Sequence, residues 1–378
     1  MKLKITSTDT LHSITKEQWN DLAGKQFPFT QYEFLVALEN NNAVGKEFGW
    51  LPNFFLAYDN EELVGALPLY IKFNSYGEFV FDWAWADAYQ QNGLRYYPKL
   101  VTSIPYTPAT GPRLLIKDKQ HYKKIADALI SEVLLFAQQS HVSSFHCLFT
   151  NTKDTQYFTD NSQFMMRLGC QFHWSNNNYT SFSDYLEQLT SKKRKQIKRE
   201  RRIVNEQNIE FEILNGLTAT ERHWDIYHQF YESTFERKSG TPTLSKSFFK
   251  EIARTMPENI VLVMAKYNNE YVASAFNIKG SDTLYGRHWG CSEDFDNLHF
   301  EACYYQGLEY CIDNKLKHFE PGAQGEHKIA RGFLPTKTWS AHWIAHPQFN
   351  ESIKHFLRHE TSGMEEYINE LNHHSPFK

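Results

Sequence analysis

A glycine-rich, polar stretch in the last fifth of the chain carries the residue types that acid–base chemistry needs. It reads EPGAQGEHKIARGF from Glu320 to Phe333, directly after a predicted strand, His318–Glu320. Glycines and proline this close together indicate a loop, and open α/β sheets bind ligands beyond the carboxyl ends of their strands. An ordinary surface loop is the alternative. The candidate residues are Gln324, Glu326, His327, Lys328 and Arg331.

A second group of candidates lies in an aromatic stretch, FVFDWAWADAY, from Phe79 to Tyr89. Its alternation of large and small side chains predicts a strand with both tryptophans on one face and Asp82 on the other. The rings either pack in a core or form a stacking platform, and two nearby cations could complete an anion site. The candidate substrate-binding residues are Trp83, Trp85, Asp87, Lys99 and Arg113, with Tyr285, Arg287 and Trp289 on the analogous later strand.

The strongest charge feature is SKKRKQIKRERR, from Ser191 to Arg202, which holds eight basic residues and one acidic residue. Apolar residues at helical spacing across 186–204 predict a helix with one docked face. A solvated surface helix is the usual interpretation. However, these cations repel one another on a chain of net charge −4, and phosphates would relieve that repulsion. The candidate phosphate- or RNA-binding residues are Lys192, Lys193, Arg194, Lys198, Arg199, Arg201 and Arg202.

Several classes of protein are disfavoured by motifs that the sequence lacks. There is no G-x-S-x-G elbow, P-loop or H-E-x-x-H motif. His355 and His359 form an i, i+4 pair without a third ligand nearby, so no metal site is expected. The five cysteines include no C-x-x-C pair, which fits a reducing compartment. The N-terminus lacks a signal-like apolar core, and the best apolar run, Leu63–Ile71, is too short to span a bilayer. We therefore expect a cytoplasmic protein.

The elements that must position these residues include an internal repeat. FFLAYDNEELVGALPLYI (54–71) and VLVMAKYNNEYVASAFNI (261–278) both read as hairpins. Pairs 208 residues apart are Ala57 and Ala265, Glu62 and Glu270, and Val64 and Val272. Tyr76-Gly77 and Tyr96-Tyr97 are followed in the same order by Tyr285-Gly286 and Tyr304-Tyr305. An ordered series of this kind predicts two copies of one α/β unit.

We therefore predict an α/β (α+β) protein of two tandem domains, each a mixed sheet flanked by helices. The domains are 1–175 and 176–378, the second with the basic helix 186–204 and a C-terminal helix, and the break lies near Gly169–Tyr185. The predicted helices are Thr30–Asn40, Tyr122–Gln139, Thr218–Lys238, Ser245–Met256, Leu298–Asn314 and Phe349–Leu371, and Ser144–Phe149 is a predicted buried strand.

Nearly the whole chain resembles the Fem-like branch of the GNAT superfamily, known for peptidoglycan biosynthesis or recognition. The segments that carry the resemblance are VGALPLY, YGEFVFDWAWADAY, YYPKL, TGPRLL, QFHW, SKKRKQIKRERR, LYGRHWG, HFEACYYQ and GAQGEHKIARGFLP. The resemblance implies two GNAT-like domains and transfer of an acyl or aminoacyl group to an amine, without a metal or redox cofactor. In the better-understood Fem enzymes the donor is aminoacyl-tRNA and the acceptor is a cell-wall precursor.

The segment GCSEDFDN, from Gly290 to Asn297, bears on the choice between two acyl donors, aminoacyl-tRNA and acyl-coenzyme A. An ordinary GNAT holds the pyrophosphate of coenzyme A on a glycine-rich loop that opens a helix. Here Glu293, Asp294 and Asp296 would repel a pyrophosphate. An aminoacyl-tRNA is therefore the better prediction, and acyl-coenzyme A is the alternative donor.

The predicted reaction is direct attack of an acceptor amine, on a small molecule or a peptide, on an activated acyl ester. Glu326 or His327 is the candidate base, and Lys328 or Arg331 the group that stabilises the oxyanion. Glu301 and Tyr304, on the flanking helix, are lesser candidates. Two alternatives remain open. One is an acyl-coenzyme A dependent N-acyltransferase, and the other is a non-catalytic module that recognises a cell-wall sugar or a nucleobase.

Overall fold

The computed structural model of the protein describes residues 1–323 and 325–378, so the candidate Gln324 lies outside the described residues. Its contacts divide the chain into two units. Unit 1 comprises Met1–Cys170 and Lys337–Tyr367, and unit 2 comprises Gln171–Thr336 and Ile368–Lys378. The sequence-based division differs, since it assigned everything after residue 175 to the second domain. Residues 340–344 pair with the strand Ser144–Leu148, which accounts for the place of this segment in unit 1.

The strands and helices have the following bounds. In chain order the strands are β1 (Leu3–Thr8), β2 (Trp50–Pro52), β3 (Phe54–Asp59), β4 (Glu62–Leu67), β5 (Tyr70–Lys72), β6 (Lys99–Thr102), β7 (Leu115–Ile116), β8 (Ser144–Leu148), β9 (Met165–Ser175), β10 (Glu210–Leu214), β11 (Ile260–Tyr267), β12 (Glu270–Lys279), β13 (Thr283–Cys291), β14 (His318–Glu320) and β15 (Leu334–Ile344). The α-helices are α1 (Lys16–Ala23), α2 (Tyr32–Asn40), α3 (Trp83–Gln91), α4 (Tyr122–Gln139), α5 (Thr152–Thr159), α6 (Phe182–Gln188), α7 (Ser191–Glu206), α8 (Glu221–Arg237), α9 (Lys246–Thr255), α10 (Leu298–Phe300), α11 (Gln306–Asp313) and α12 (Pro347–Asn372). A π-helix, Glu301–Tyr305, joins α10 to α11, and 3₁₀ turns occur at Leu11–Ser13, Pro28–Thr30, Pro257–Asn259 and Glu326–Arg331.

Unit 1 is built around helix α4 and the sheet of order β1-β3-β4-β7. Ile125, Leu129 and Val133 recur at helical spacing along α4, and all three are fully buried. Gly65 on β4 allows the helix to approach, because an added Cβ would lie 2.5 Å from Ile125 Cγ2. Strands β2, β5, β6, β8 and the unit 1 part of β15 follow one another in a second set of paired strands.

Unit 2 contains the strand order β10-β11-β12-β13-β14 followed by the last part of β9. Its pairs are antiparallel except for β13 with β14, which run parallel. Helices α8 and α9 pack on the sheet through aromatic rings, with Tyr227 and Phe249 centred 5.3 Å from Phe276. Gly290 lets α8 lie close to β13, because a Cβ there would be 2.1 Å from the Phe230 carbonyl oxygen.

The two units share one order of elements, which confirms the predicted repeat of an α/β unit. In each, a strand is followed by two helices and then by an antiparallel hairpin: β1, α1, α2, β3, β4 in unit 1 and β10, α8, α9, β11, β12 in unit 2. Unit 1 adds the three-residue strand β2 between α2 and β3. Ala57 and Ala265 occupy equivalent positions, since each lies in the first strand of the hairpin and is followed at once by a shift in register. The predicted mixed α/β fold class is therefore confirmed.

Beyond the hairpin the proposed repeat is wrong. Tyr285-Gly286 lies within β13, whereas Tyr76-Gly77 lies in a loop after β5. Tyr304-Tyr305 lies in the π-helix, whereas Tyr96-Tyr97 precedes β6. Unit 1 holds 47 residues, 68–114, between the second hairpin strand β4 and β7, where unit 2 has only a short turn between β12 and β13. The matching dipeptides after the hairpins are therefore coincidental.

The predicted strand Phe79–Tyr89 is also wrong, because Trp83–Gln91 forms helix α3. In the first turn of this helix, the backbone carbonyl oxygen of Asp82 accepts hydrogen bonds from the backbone N–H groups of Trp85 and Ala86. Trp85 and Tyr89 are four residues apart and face the core together. The alternation of large and small residues over so few positions fits one helical face as well as a strand. Other predicted elements, including the helix Tyr122–Gln139 and the strand His318–Glu320, are confirmed.

Candidate active site

The polar loop of unit 2 follows the place where two parallel strands part. Strands β13 and β14 pair from Thr283↔His318 to Tyr285↔Glu320, after which β14 ends and β13 continues to Cys291. The chain then turns back through two glycines with positive φ, Gly322 at 97° and Gly325 at 115°, a conformation that a residue with a Cβ rarely adopts. The loop therefore lies at the carboxyl end of the strands, where α/β sheets place ligands.

His327 is held by Tyr304 from the π-helix. The Tyr304 hydroxyl lies 2.9 Å from His327 Nε2. The imidazole is exposed on one side and packs against Phe300 on the other, with ring centroids 5.8 Å apart. This partial desolvation, together with the positive charges of Arg331 and Lys328, lowers the pKa of His327. Burial raises the pKa of Tyr304. His327 is therefore neutral at neutral pH and able to accept a proton.

Lys328 is buried under the same loop. Its ammonium donates to the Gly322 carbonyl oxygen over 2.8 Å, and the residue is 3% exposed. Burial lowers the pKa of Lys328 to about 8, opposed by the nearby Cys303 thiol. An ammonium has three donors, so the bond to Gly322 leaves capacity for a second acceptor. Lys328 thus carries a positive charge at neutral pH, and its ammonium loses a proton only about one pH unit higher.

Arg331 holds the loop in place, which does not favour its predicted role as an oxyanion-stabilising group. Its guanidinium donates to both carboxylate oxygens of Glu200, at 2.8 and 3.2 Å, and to the Tyr305 hydroxyl at 3.0 Å. It also donates to the His327 carbonyl oxygen at 2.8 Å and stacks 3.5 Å from the Phe300 ring. A guanidinium bound in this way is committed to the protein. Arg331 therefore fixes the backbone of His327 and joins the loop to helix α7.

Glu301 likewise has an internal partner. Arg201 of α7 donates to its carboxylate at 3.0–3.2 Å and also to Glu309 at 2.8–2.9 Å. Burial raises the pKa of Glu301, and the charge of Arg201 opposes that rise. The lesser candidate Glu301 thus anchors the basic helix to the π-helix, a type of local irregularity that is frequent at functional sites.

A cavity of about 480 Å³ lies between α7 and the π-helix, within unit 2. Lys198, Arg201 and Arg202 contribute cations to its lining, and Phe182 and Phe211 contribute aromatic rings. The Arg201 guanidinium lies 4.6 Å from the Phe182 ring centroid. Cations beside rings are the combination that binds phosphates and stacked bases of single-stranded nucleic acid.

Helix α7 presents most of its positive charge to solvent. Lys192, Lys195, Lys198 and Arg199 are exposed, and among the residues that the structure describes no carboxylate lies within 4.0 Å of their charged atoms. The other basic residues are engaged in part: Lys193 and Arg194 are half-buried, Arg201 pairs with two carboxylates, and Arg202 is exposed and lies 3.4 Å from Glu206. Buried Ile197, Glu200 and Val204 form the docked face, which confirms a helix with one docked face. The predicted span 186–204 is wrong at its start, because Leu186 belongs to α6 and α7 begins only at Ser191.

The remaining candidates of unit 2 lie on β13. Tyr285 is buried and half-buried Trp289 packs edge-on against His299, with centroids 5.3 Å apart. His299 in turn lies 5.4 Å from the Tyr304 ring, which links Trp289 to the His327 pair. Burial lowers the pKa of Arg287 to about 10.

The two candidate bases of the loop, Glu326 and His327, are adjacent in the chain and both exposed, so they share one surface.

The candidates of unit 1 are not assembled as the sequence predicted. Trp83 and Asp87 are exposed on α3, and Trp85 is buried against His342, with ring centroids 5.1 Å apart. Lys99 is fully buried in ion pairs with Glu78 and Asp82. Arg113 is also buried, and its guanidinium donates to the carbonyl oxygens of Ala109, Pro112 and Leu148. These partners compensate both cations internally, so the geometry does not favour an anion site formed by Lys99 and Arg113.

Sequence reasoning missed residues whose role depends on distant partners. Glu200 was counted only as one acid in a basic run, yet it binds Arg331 and the Tyr305 hydroxyl. His299 and Phe300 lie within the predicted helix Leu298–Asn314 and were not among the candidates, although they pack around His327. The clustering of aromatic and histidine residues in HFEACYY, the segment 299–305 that also contains Tyr304, was the available signal.

Among the residues that the structure describes, no group of three or more His, Cys, Asp or Glu side chains could hold a metal ion. None of the helices in those residues combines the length and apolar character needed to cross a membrane.

The repeated units and the parted parallel strands define a tandem GNAT-like fold. The FemAB-like family, described as peptidoglycan biosynthesis/recognition, matches residues 10–378, and the chain belongs to this family. It is accordingly an acyl- or aminoacyltransferase, as its resemblance to Fem-like proteins implied. No match was found among curated proteins.

Solved structures share the fold at low sequence identity. FemX aligns with a TM-score of 0.54 at 10% identity, over 90% of this chain and 98% of FemX. The C-terminal domain of a putative lysylphosphatidylglycerol synthetase from Agrobacterium fabrum aligns with a TM-score of 0.56 at 7% identity, over 90% and 95% of the two chains. The L-PGS of Bacillus licheniformis aligns with a TM-score of 0.51 at 10% identity, over 85% and 95%. These similarities support the fold assignment.

Proposed function

We propose that unit 2 transfers an aminoacyl group from a charged tRNA to an amine. The observation that carries this proposal is the exposed cationic face of α7 next to a cavity lined by cations and rings. Lys195, Lys198 and Arg202 follow one another at three- and four-residue spacing, so they lie along one side of the helix. A row of this kind suits a phosphate backbone, and the cavity suits the unpaired end of an RNA.

The alternative donor, acyl-coenzyme A, is disfavoured by the turn between β13 and α10. In an ordinary GNAT this is the position that binds pyrophosphate, and here it carries three carboxylates in residues 293–296. The Asp294 side chain is 94% exposed, and its carboxylate lies 3.8 Å from the Arg237 guanidinium. Negative charge at a helix N-terminus opposes the binding of an anionic pyrophosphate.

The chemistry that we propose follows from the His327 and Lys328 geometry. The acceptor amine attacks the ester carbonyl carbon, so a C–N bond forms and the ester C–O bond breaks. His327, held through Nε2 by Tyr304, takes the amine proton on Nδ1 and returns it to the ribose oxygen that leaves. Lys328 stabilises the negative charge on the carbonyl oxygen. Tyr304 and Arg331 are positioning residues.

The acceptor class is an amine on a small molecule or a peptide, and cell-wall precursors are the acceptors that the family description favours. Glu326 lies beside His327 and provides negative charge that would attract an ammonium before it loses its proton. Because charged tRNA is a cytoplasmic molecule, we also propose a cytoplasmic location.

Binding of aminoacyl-tRNA at several salt concentrations tests the proposal. The variant Lys195→Ala/Lys198→Ala/Arg202→Ala should weaken binding and reduce the slope of log K against log salt by roughly two to three, because each lost phosphate contact removes about 0.7–0.9 of slope. Alanine favours helix, so α7 should stay folded. The matched control is Lys46→Ala/Lys119→Ala/Lys354→Ala, which removes the same charge from exposed positions that belong to unit 1 and not to α7.

The competing outcomes are distinct. Equal slopes for the two triple variants would refute the phosphate-binding role of α7. Tight binding of acetyl-coenzyme A with turnover, and no response to RNA, would favour the N-acyltransferase alternative. Ligand binding without any transfer of an acyl group to amines would favour the recognition module.

A further inference from the structure

In a short segment of unit 1, residues 73–83, the large apolar side chains are exposed and the charged side chains are buried. Its exposed large side chains are all aromatic: Phe73 (49%), Tyr76 (69%), Phe79 (40%), Phe81 (53%) and Trp83 (39%). Five of the eleven exposed large apolar side chains recorded for the described residues fall within these eleven positions. A contiguous apolar surface of this kind marks an interaction site rather than ordinary surface composition.

The polar side chains of the same segment point into the protein. Ser75, Glu78 and Asp82 are each 2–3% exposed. All three contact the ammonium of Lys99, which is fully buried. The Lys99 Nζ atom donates to Ser75 Oγ over 2.9 Å, to Glu78 Oε2 over 2.8 Å and to Asp82 Oδ2. The segment therefore wraps around one cation, and this anchoring keeps the five rings on the outside.

The backbone at Phe79 supports a selected role for its ring. Phe79 has a φ of +60°, in the left-handed region that glycine and asparagine adopt readily and that costs energy for a bulky residue. Local folding alone would therefore favour glycine or asparagine there. Tyr76 and Trp83 contact each other across the segment, with ring centroids 5.2 Å apart, so exposed rings seven positions apart in the chain share one surface.

We propose that residues 73–83 insert into the interfacial region of a lipid bilayer and dock the protein on a membrane surface. Tryptophan and tyrosine prefer the headgroup level and phenylalanine the acyl boundary just below it. A sugar-binding platform would need polar groups beside the rings to read hydroxyls, and here Ser75, Glu78 and Asp82 are buried and bound to Lys99. The chemistry of the patch therefore fits an apolar surface and not a carbohydrate.

The proposal goes beyond the transfer reaction and uses none of the residues placed in unit 2. It implies that the protein acts on acceptors carried at a membrane, although no described helix could span one. The patch has no charged exposed side chain among its rings, so its binding should not depend on anionic lipid. This property separates it from α7, whose cations would bind anionic headgroups.

Vesicle co-flotation with the full chain tests the proposal. Vesicles of neutral phosphatidylcholine are used at about 1 M salt, where screening acts over roughly 3 Å and suppresses any contribution from α7. The variant Phe73→Ser/Phe79→Asn/Phe81→Ser removes three rings and places asparagine where the backbone has positive φ. The matched control, Leu135→Ser/Leu217→Ser/Phe356→Ser, removes three apolar side chains outside the segment, which are 44%, 72% and 45% exposed.

We expect the native chain and the control to float with the vesicles, and the Phe73/Phe79/Phe81 variant to partition at least about tenfold more weakly, given the transfer free energy of a phenylalanine ring. Brominated phosphatidylcholine should quench tryptophan fluorescence in the native chain, and Trp83→Phe should remove that quenching. No flotation of the native chain, or equal loss in both triple variants, would overturn the proposal. Dimerisation lost only in the ring variant would identify a second copy as the occupant instead. Binding of tRNA by the ring variant stays as in the native chain, so the outcome is independent of the proposed reaction.

Discussion

At the scale of single residues, the candidate site pairs an exposed imidazole with a buried ammonium. His327 is kept neutral by partial desolvation and by neighbouring cations, and Lys328 is kept charged up to a pKa of about 8. A base and a cation with these properties can act together near neutral pH, because one has lost its proton and the other has not. Arg331 and Tyr304 determine where the two groups lie, through bonds to the His327 carbonyl and ring.

The first prediction is a bell-shaped pH profile of kcat/KM for aminoacyl transfer. Its acid limb should lie below about 6.5, the ordinary pKa of histidine, because the pKa of His327 is lowered. Its basic limb should lie at about 8, where Lys328 loses its proton. His327→Gln keeps a polar atom facing Tyr304 but cannot take a proton, so kcat should fall by roughly 10²–10⁴-fold.

Two further measurements make this assignment specific. Lys328→Arg should move the basic limb upward, since arginine does not deprotonate in this range. The Kd for tRNA should be unchanged in His327→Gln, because the base does not contact the phosphates. Turnover by His327→Gln within about threefold of the native rate would exclude His327 as the base.

At the scale of elements, the strand pair β8 and β15 in unit 1 brings two histidines together. His146 and His342 are directly opposite in the register, and their Nδ1 atoms lie 2.7 Å apart. Their Nε2 atoms contact Ser144 and Ser340 hydroxyls at 2.7 and 2.8 Å. One Nδ1 must donate and the other accept, so two protonated rings cannot occupy these positions. Burial lowers the pKa of His146 to about 3 and that of His342 well below 6.5.

The second prediction in this section is that this pair makes unit 1 acid-sensitive. Because both folded-state pKa values lie below the unfolded value of about 6.5, the stability that the pair contributes is present above pH 6.5 and is lost as pH falls toward 3. Each histidine can add up to about 1.4 kcal/mol per pH unit to the slope of the free energy of unfolding against pH. His146→Asn/His342→Asn keeps a donor facing an acceptor without a titrating group, so it should flatten the slope in urea unfolding between about pH 4.5 and 7.

The control for this measurement is His355→Asn/His359→Asn, which changes two exposed histidines of α12. It should follow the native slope. If the His146/His342 variant and the native chain lose stability in parallel as the pH falls, another group is responsible for the acid sensitivity.

At the scale of the whole molecule, the sequence predicted those features that depend on local pattern. Helix α4 was predicted with its observed ends because eighteen residues of amphipathic sequence are unambiguous. The hairpins at Ala57 and Ala265 and the loop after β14 followed from alternation and from glycines. Helix α3 was not predicted, because nine residues with alternating rings fit two periodicities.

What the sequence could not predict depends on contacts between distant segments. The pairing of Arg331 with Glu200 joins residues 131 positions apart, and the His146–His342 contact joins residues 196 positions apart. No local pattern identifies such partners. The same limit applies to residues 337–367, where the sequence predicts the C-terminal helix Phe349–Leu371 but not the unit to which these residues belong.

The last prediction concerns that division of the chain. A fragment of residues 1–175 should not fold, because it lacks the strand segment that pairs with β8 and the start of α12. Ile344, Ile353 and Leu357 are each at most 5% exposed and pack with Trp85, Tyr89 and Tyr96 of unit 1. Each buried aliphatic side chain contributes about 1.5–3 kcal/mol, so losing three removes an amount comparable to the roughly 5–15 kcal/mol that holds a domain together. Residues 1–170 joined to 337–367 through a flexible glycine-serine linker should instead show near-ultraviolet circular dichroism and a cooperative urea transition. A cooperative transition for 1–175 alone would show that residues 337–367 are dispensable for unit 1.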